Sequence, residues 1–321
     1  MMKKIALIYM GGTFGCIGEP LSPMPAKDFL PQLEKILDPQ LNIECFIAPV
    51  IQDSSACTAS DWLALTQQIQ QLQKAQFQHF VIIHGTDTLS YASAVLAQFL
   101  AQSARIVLTG SQYPLLNVAG NATRQDSDAL DNLNFALKAV LDTSAGVYLA
   151  FHQRLIHAAT ALKQHTTALD AFAGVAANTS LLDPHAAFTV SDTDIAQSQN
   201  FNALSVMMQP IHLNAQWQNL KQISQRPPHF LFLQGFGTAN LAVDADIIAL
   251  LDEFYAQGCA VVLTTQVPFG AIEQHYAINH WLGSSKILLS DCQGHADLYA
   301  KALKMYLQYD GVDQWYAHWQ G

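Results

Sequence analysis

Thr13 follows Gly11 and Gly12, Ser54 and Ser55 follow Asp53, and Thr86 and Asp87 follow His84 and Gly85. A small hydroxyl can act as a nucleophile where a base takes its proton, and backbone N–H groups beside it can hold an oxyanion. Gly11 and Gly12 allow close backbone approach and leave N–H groups for an oxyanion or a carboxylate. His84 adjoins the third segment, but at the end of a strand it is placed for packing or orienting rather than for proton abstraction. A lysine whose charge is disfavoured by burial could be the base instead. Lys163, in the run ALKQHTT, is flanked by apolar and hydroxyl residues. Each residue also has a plain structural reading. Thr13 is a loop threonine, Ser54 and Ser55 start a turn, Thr86-Asp87-Thr88 caps a helix, and Lys163 is a solvated surface lysine.

The elements that must position these residues are legible as alternating runs. Residues 80–83 have the length and β-branched content of a buried strand, and residues 89–100 are apolar at helical spacing, with Thr88 as the expected N-cap and Asp87 where a helix N-terminus favours an anion. Residues 4–10 predict a first strand, residues 11–25 a loop holding four glycines and three prolines, and residues 26–37 a helix. Residues 43–51 predict a strand, and Ser60 is the expected cap of a helix over residues 61–75. A strand over residues 105–108, a helix over 129–141 and a strand pair at 146–151 and 154–158 follow, the pair turning near His152 and Gln153. Open parallel sheets bind ligands beyond the carboxyl ends of their strands. Thr13, Ser54 with Ser55, and Thr86 with Asp87 each close a predicted strand, and that recurrence favours one shared site.

This alternation indicates an α/β fold: a larger N-terminal domain (residues 1–190) with a doubly wound, mostly parallel sheet, a polar linker (191–202), and a smaller C-terminal α/β domain (203–321). In the latter, strands are expected at 203–208, 230–233 and 260–264, and helices at 241–256 and 295–307. Half of the 321 residues are hydrophobic and only 12% are charged, which supports a sizeable core. A net charge of −10 without a basic run argues against nucleic acid as a partner. The first apolar run stops after six residues, too short for a signal peptide, and no window reaches membrane-spanning length, so a cytoplasmic protein off the membrane is expected. Five dispersed cysteines without a C-x-x-C pair fit a reducing compartment. G-x-G-x-x-G, the phosphate-cradling glycine-lysine motif, G-x-S-x-G and H-E-x-x-H are all absent, so neither a dinucleotide nor a metal is expected.

Taken together, YMGGTFG, DSS followed by DW, VIIHGTDTLSYASA, TGSQYPL, the Asp128 and NLNFAL region and RLIHAATALKQHTTALDAF resemble the bacterial two-domain asparaginases that use a threonine nucleophile. The likeness continues more weakly through LQGFGTANL and LTTQVPFG, and without a signal peptide it is nearer the cytoplasmic branch. The resemblance implies hydrolysis of L-asparagine without cofactor or metal, in a homodimer or homotetramer. It implies Thr13 as nucleophile, and Thr86, Asp87 and Lys163 as the partners that move protons. It also implies Gly12, Ser54, Ser55, Thr86 and Asp87 as substrate-binding, with Asn240 reaching a neighbouring subunit's site. Glutamine as substrate, or amino-acid binding without turnover, are the alternatives; an amidotransferase subunit of similar sequence would carry an extra N-terminal domain. Two departures stand out. The loop GCIGEPLSPMPA lacks the tyrosine that the family places after the first threonine, and Glu273 is offset from the glutamate that secreted members lend to a neighbour.

Overall fold

The first strand, β1 (Lys4–Tyr9), buries every residue but its first, as expected of a strand covered on both faces. The structure is a computed structural model that describes residues 3–180, 186–270, 272–273 and 277–319. After β1 the chain makes a 3₁₀ turn at Thr13–Gly15 and a small antiparallel hairpin of β2 (Cys16–Ile17) and β3 (Ser22–Pro23), where the sequence predicted only loop. There follow α1 (Ala26–Glu34), β4 (Asn42–Ile47), α2 (Ala59–Lys74), β5 (His79–Ile83), α3 (Leu89–Leu100), β6 (Arg105–Thr109), α4 (Ala129–Asp142), β7 (Gly146–Phe151) and β8 (Arg154–His157). A two-stranded ribbon, β9 (Leu162–Lys163) with β10 (Phe172–Ala173), comes next.

The main sheet runs β4-β1-β5-β6-β7-β8, parallel throughout except for β8, which returns antiparallel to β7 through His152 and Gln153. Alternation along the strands divides the core. Ile5, Leu7, Tyr9, Val81, Ile83 and Val107 pack with Phe29 and Leu33 of α1 and Leu133, Ala136 and Leu137 of α4. The intervening Ala6, Ile8, Phe80 and Ile82 are also fully buried and, by the period of a strand, face the other side. The chain divides into two compact units, Met1–Gln199 and Asn200–Gly321.

The stretch expected to be linker contains a helix, α5 (Asp192–Ser198). Its reason is a capping box: the Asp194 backbone N–H donates to Ser191 Oγ at 3.2 Å, and the Asp194 carboxylate accepts from the Ser191 backbone N–H at 2.8 Å. It packs against α2, where Gln70 Oε1 accepts from Val190 N at 3.0 Å and Gln70 Nε2 donates to Phe188 O at 2.7 Å. The helix α2 is itself capped two residues earlier than expected. Thr58 closes the box with Asp61, and Ser60 lies inside the first turn.

In the second unit four parallel strands run β11 (Ala203–Met207), β12 (Phe230–Gly235), β13 (Ala260–Thr265) and β14 (Leu288–Leu289). Leu231, Leu233, Val261 and Leu263 pack with α6 (Leu213–Ser224) and α7 (Ala245–Ala256). The alternate Phe230, Phe232, Ala260 and Val262 pack with α8 (His295–Gln308) and α9 (Gly311–His318). No described helix is long and apolar enough to cross a membrane.

Candidate active site

In the main sheet β1 lies between β4, which follows it in the chain, and β5, so successive connections leave its two sides in opposite directions. Such a switch point opens a crevice beyond the carboxyl ends of the strands. Glycines close it tightly. A Cβ built on Gly12 would lie 2.3 Å from the Gly85 Cα, and one on Gly85 would lie 2.5 Å from Ser54 Oγ. Gly12 also has φ 85°, a conformation that side chains resist. The backbones after β1 and β5 and the Ser54 side chain therefore meet at contact distance, and Thr13 and Thr86 are the next residues along each.

Thr13 is half-buried at the start of its 3₁₀ turn. Ser54 is buried and Ser55 exposed, at the start of a 3₁₀ turn over Ser54–Ala56. The Ser55 hydroxyl donates to Asp53 Oδ1 at 2.6 Å and its N–H to the same oxygen at 2.8 Å, which lowers the Asp53 pKa below its ordinary value. Thr88 does not cap α3 with its side chain; its hydroxyl donates to Ser54 O at 2.7 Å and ties the helix start to the Ser54 turn.

One group of contacts in the site crosses more than seventy residues of sequence. Lys163 Nζ donates to Thr86 Oγ1 at 2.9 Å and to Asp87 Oδ1 at 2.8 Å. Thr86 is buried, the Lys163 side chain is 21% exposed and the Asp87 side chain 61% exposed, so the triad runs from the interior to an open face. The surface-lysine reading of Lys163 is therefore replaced by a shared hydrogen-bonded group. Lys163 sits on β9 opposite Phe172, and the loop after it is fastened by Gln112, whose Nε2 donates to Ala168 O at 2.9 Å and to Thr166 O at 3.2 Å. The backbone N–H groups of Gln112 and Tyr113 each donate to the buried Asp128 carboxylate at 3.0 Å. Asn132 donates from Nδ2 to Asp128 Oδ2 and to Gly110 O, both at 3.0 Å.

Sequence reasoning did not assign these supports roles. TGSQ was visible as a strand end, but the partners of the Gln112 side chain lie more than fifty residues away and no local pattern shows them. Tyr9, the tyrosine nearest Thr13 in sequence, is fully buried under the same turn, and a Cβ on Gly15 would lie 1.8 Å from its hydroxyl. That hydroxyl has no hydrogen-bond partner among the described residues, and burial raises its pKa. Asn240 belongs to the second unit, where its Oδ1 accepts from Asn279 Nδ2 at 2.9 Å and its Nδ2 faces Thr238 Oγ1 at 3.5 Å. Glu273, in the same unit, is exposed. Among the described residues no group of three or more His, Cys, Asp or Glu side chains could hold a metal ion.

Comparison with known proteins shows the family and the fold. A family model described as "Asparaginase, N-terminal" matches residues 4–183, more than half of the chain. L-asparaginase 1 of Escherichia coli (strain K12) is 25% identical over 324 residues, covering 96% of this chain and 91% of that protein. An L-asparaginase of Dirofilaria immitis is 28% identical over 243 residues, covering 70% of this chain but only 38% of the longer relative. Among solved structures, L-asparaginase I of Vibrio cholerae superposes with a TM-score of 0.77 at 21% identity, over 100% of this chain and 97% of that one, which shows a shared fold. The chain belongs to the asparaginase family of amidohydrolases.

Proposed function

We propose that the protein is an L-asparaginase, hydrolysing L-asparagine to L-aspartate and ammonia through an acyl-enzyme on Thr13. The observation that carries this reading is Lys163 bridging Thr86 Oγ1 and Asp87 Oδ1, beside the Gly12–Gly85 contact. Because Thr86 Oγ1 accepts from Lys163, its own proton is free to point at a reacting amide. Thr13 Oγ1 gives its proton to the Thr86–Lys163 relay as it attacks the amide carbon, forming a C–O bond and a tetrahedral oxyanion held by backbone N–H groups near Gly12, Thr13 and Thr86. Collapse breaks the C–N bond, and ammonia leaves with a proton relayed through Thr86 and Lys163. Water then hydrolyses the ester, frees aspartate and restores the Thr13 hydroxyl. Asp87, the more exposed carboxylate, pairs with the substrate α-ammonium, and Gly12, Ser54 and Ser55 hold its α-carboxylate and amino group.

The proposal includes a cytoplasmic homodimer or homotetramer, in which Asn240 serves a neighbouring subunit. Ammonia release from asparagine should be lost in Thr13→Ala and fall by roughly 10²–10⁴-fold in Lys163→Met, as expected for loss of a positioned proton carrier. Comparable rates in the wild type and both variants would sink the mechanism. The ratio of kcat/KM for asparagine and glutamine decides between a strict asparaginase and a broader enzyme.

A further inference from the structure

The imidazole of His84 is buried at the end of β5, and each ring nitrogen meets a partner of fixed polarity. Trp62 Nε1, which can only donate, lies 3.2 Å from Nε2, and Gly85 O, which can only accept, lies 2.8 Å from Nδ1. Both contacts demand the same species, a neutral ring with its proton on Nδ1. A second proton would turn Nε2 into a donor facing the indole N–H, and burial pushes the pKa of His84 down to about 4. Packing holds the partners in turn. Trp62 projects from α2 and stacks on Tyr91 of α3 with ring centroids 6.3 Å apart and planes 6° from parallel. The same α3 is anchored to the Ser54 turn through Thr88. Gly85 is confined on its other side by Gly12 and Ser54, and a Cβ on Gly110 would come within 2.4 Å of His84 O.

We propose that His84 is a positioning residue for the reaction given above, clamping the Gly85 carbonyl so that the backbone turn presents the Thr86 hydroxyl to Lys163 and to the amide. The inference rests on the asparaginase reading. The clamp fixes the peptide plane between Gly85 and Thr86, whose N–H is one of the groups assigned to the oxyanion, and its loss misplaces chemistry rather than removing a contact with substrate.

The test combines three variants with ¹⁵N NMR of the imidazole. His84→Leu removes the donor and should lower kcat for asparagine about 10–100-fold with a smaller change in KM, as expected for slight misplacement of reacting groups. In His84→Asn the side-chain N–H₂ stands where Nδ1–H stood, and kcat should recover most of that loss. Trp62→Phe keeps an aromatic ring against Tyr91 but frees Nε2, so it tests the clamp if His84→Leu fails to fold; the NMR signal should lose its single Nδ1–H tautomer and kcat should fall. Wild-type protein should show that tautomer alone. An Nε2–H tautomer in the wild type, or kcat in folded His84→Leu or Trp62→Phe equal to wild type, would overturn the proposal. So would His84→Asn as impaired as His84→Leu. A wild type that shows the tautomer yet releases no ammonia would instead overturn the asparaginase reading, and with it the positioning role.

Discussion

At the scale of single residues the site depends on two glycines and one lysine. Gly12 holds φ 85°, and a Cβ there would meet the Gly85 Cα at 2.3 Å, so neither bulk nor chirality is tolerated. Gly12→Ala should lose roughly 1–3 kcal/mol of stability from the strained backbone alone. Activity should fall further than that destabilisation explains, because the contact that brings Thr13 toward Thr86 opens; urea denaturation beside ammonia release separates the two effects. Lys163 shows what a sequence leaves undecided. Its neighbours Leu162 and Gln164 suit a surface lysine as well as a site lysine, and only the ribbon of β9 and β10 brings its ammonium to Thr86 and Asp87, 77 and 76 residues back. Ser55 makes the opposite point. Its hydroxyl, expected to face substrate, donates to Asp53 in this structure, so it can accept from a substrate ammonium but can donate to a carboxylate only if that bond opens.

At the scale of elements, most long periodic segments were legible, the twelve residues of α6 were not, and neither were the shortest elements. The apolar residues 80–83 of β5 are all buried, as expected, and α3 and α4 fall within one residue of their expected bounds. The sequence did not reveal β14, two residues long, or α9, eight residues long. Neither is long enough to establish a period, and tertiary packing forms them: Trp315 and Trp319 fill the core beneath β12 and β13. Caps were misassigned because several hydroxyls compete at a helix start. The discriminating signal was an acid three residues on, which Thr58 has in Asp61 and Ser60 lacks. Thr58→Ala should therefore cost about 1 kcal/mol, and Ser60→Ala little, in thermal or urea unfolding. Thr88→Val should leave α3 intact while loosening the Ser54 turn, since its hydroxyl serves that turn rather than the helix.

At the scale of the whole molecule, a mostly parallel sheet whose connections reverse beside β1 creates the crevice, and the three strand ends meet there through Gly12, Ser54 and Gly85. What the sequence could not supply was the long-range fastening: His84 with Trp62, Gln112 with the loop after Lys163, and Asp128 with Gln112 and Tyr113. The neutral His84 also links folding to pH. Its pKa falls from 6.5 to about 4 on folding, so the unfolded chain takes up the proton first. The stability it confers is complete above about pH 6.5 and is lost as pH falls toward 4, on the order of 3 kcal/mol in all. Urea unfolding across that range should show a steeper loss in wild type than in His84→Asn. The central claim, that Thr13 attacks while Thr86 relays protons, is tested most directly by acid-quenching the enzyme during turnover of asparagine and mapping the acylated peptide by mass spectrometry. The account predicts an aspartyl ester on Thr13, absent in Thr13→Ala; an ester on Thr86, or turnover with no acylated threonine in either peptide, would contradict it.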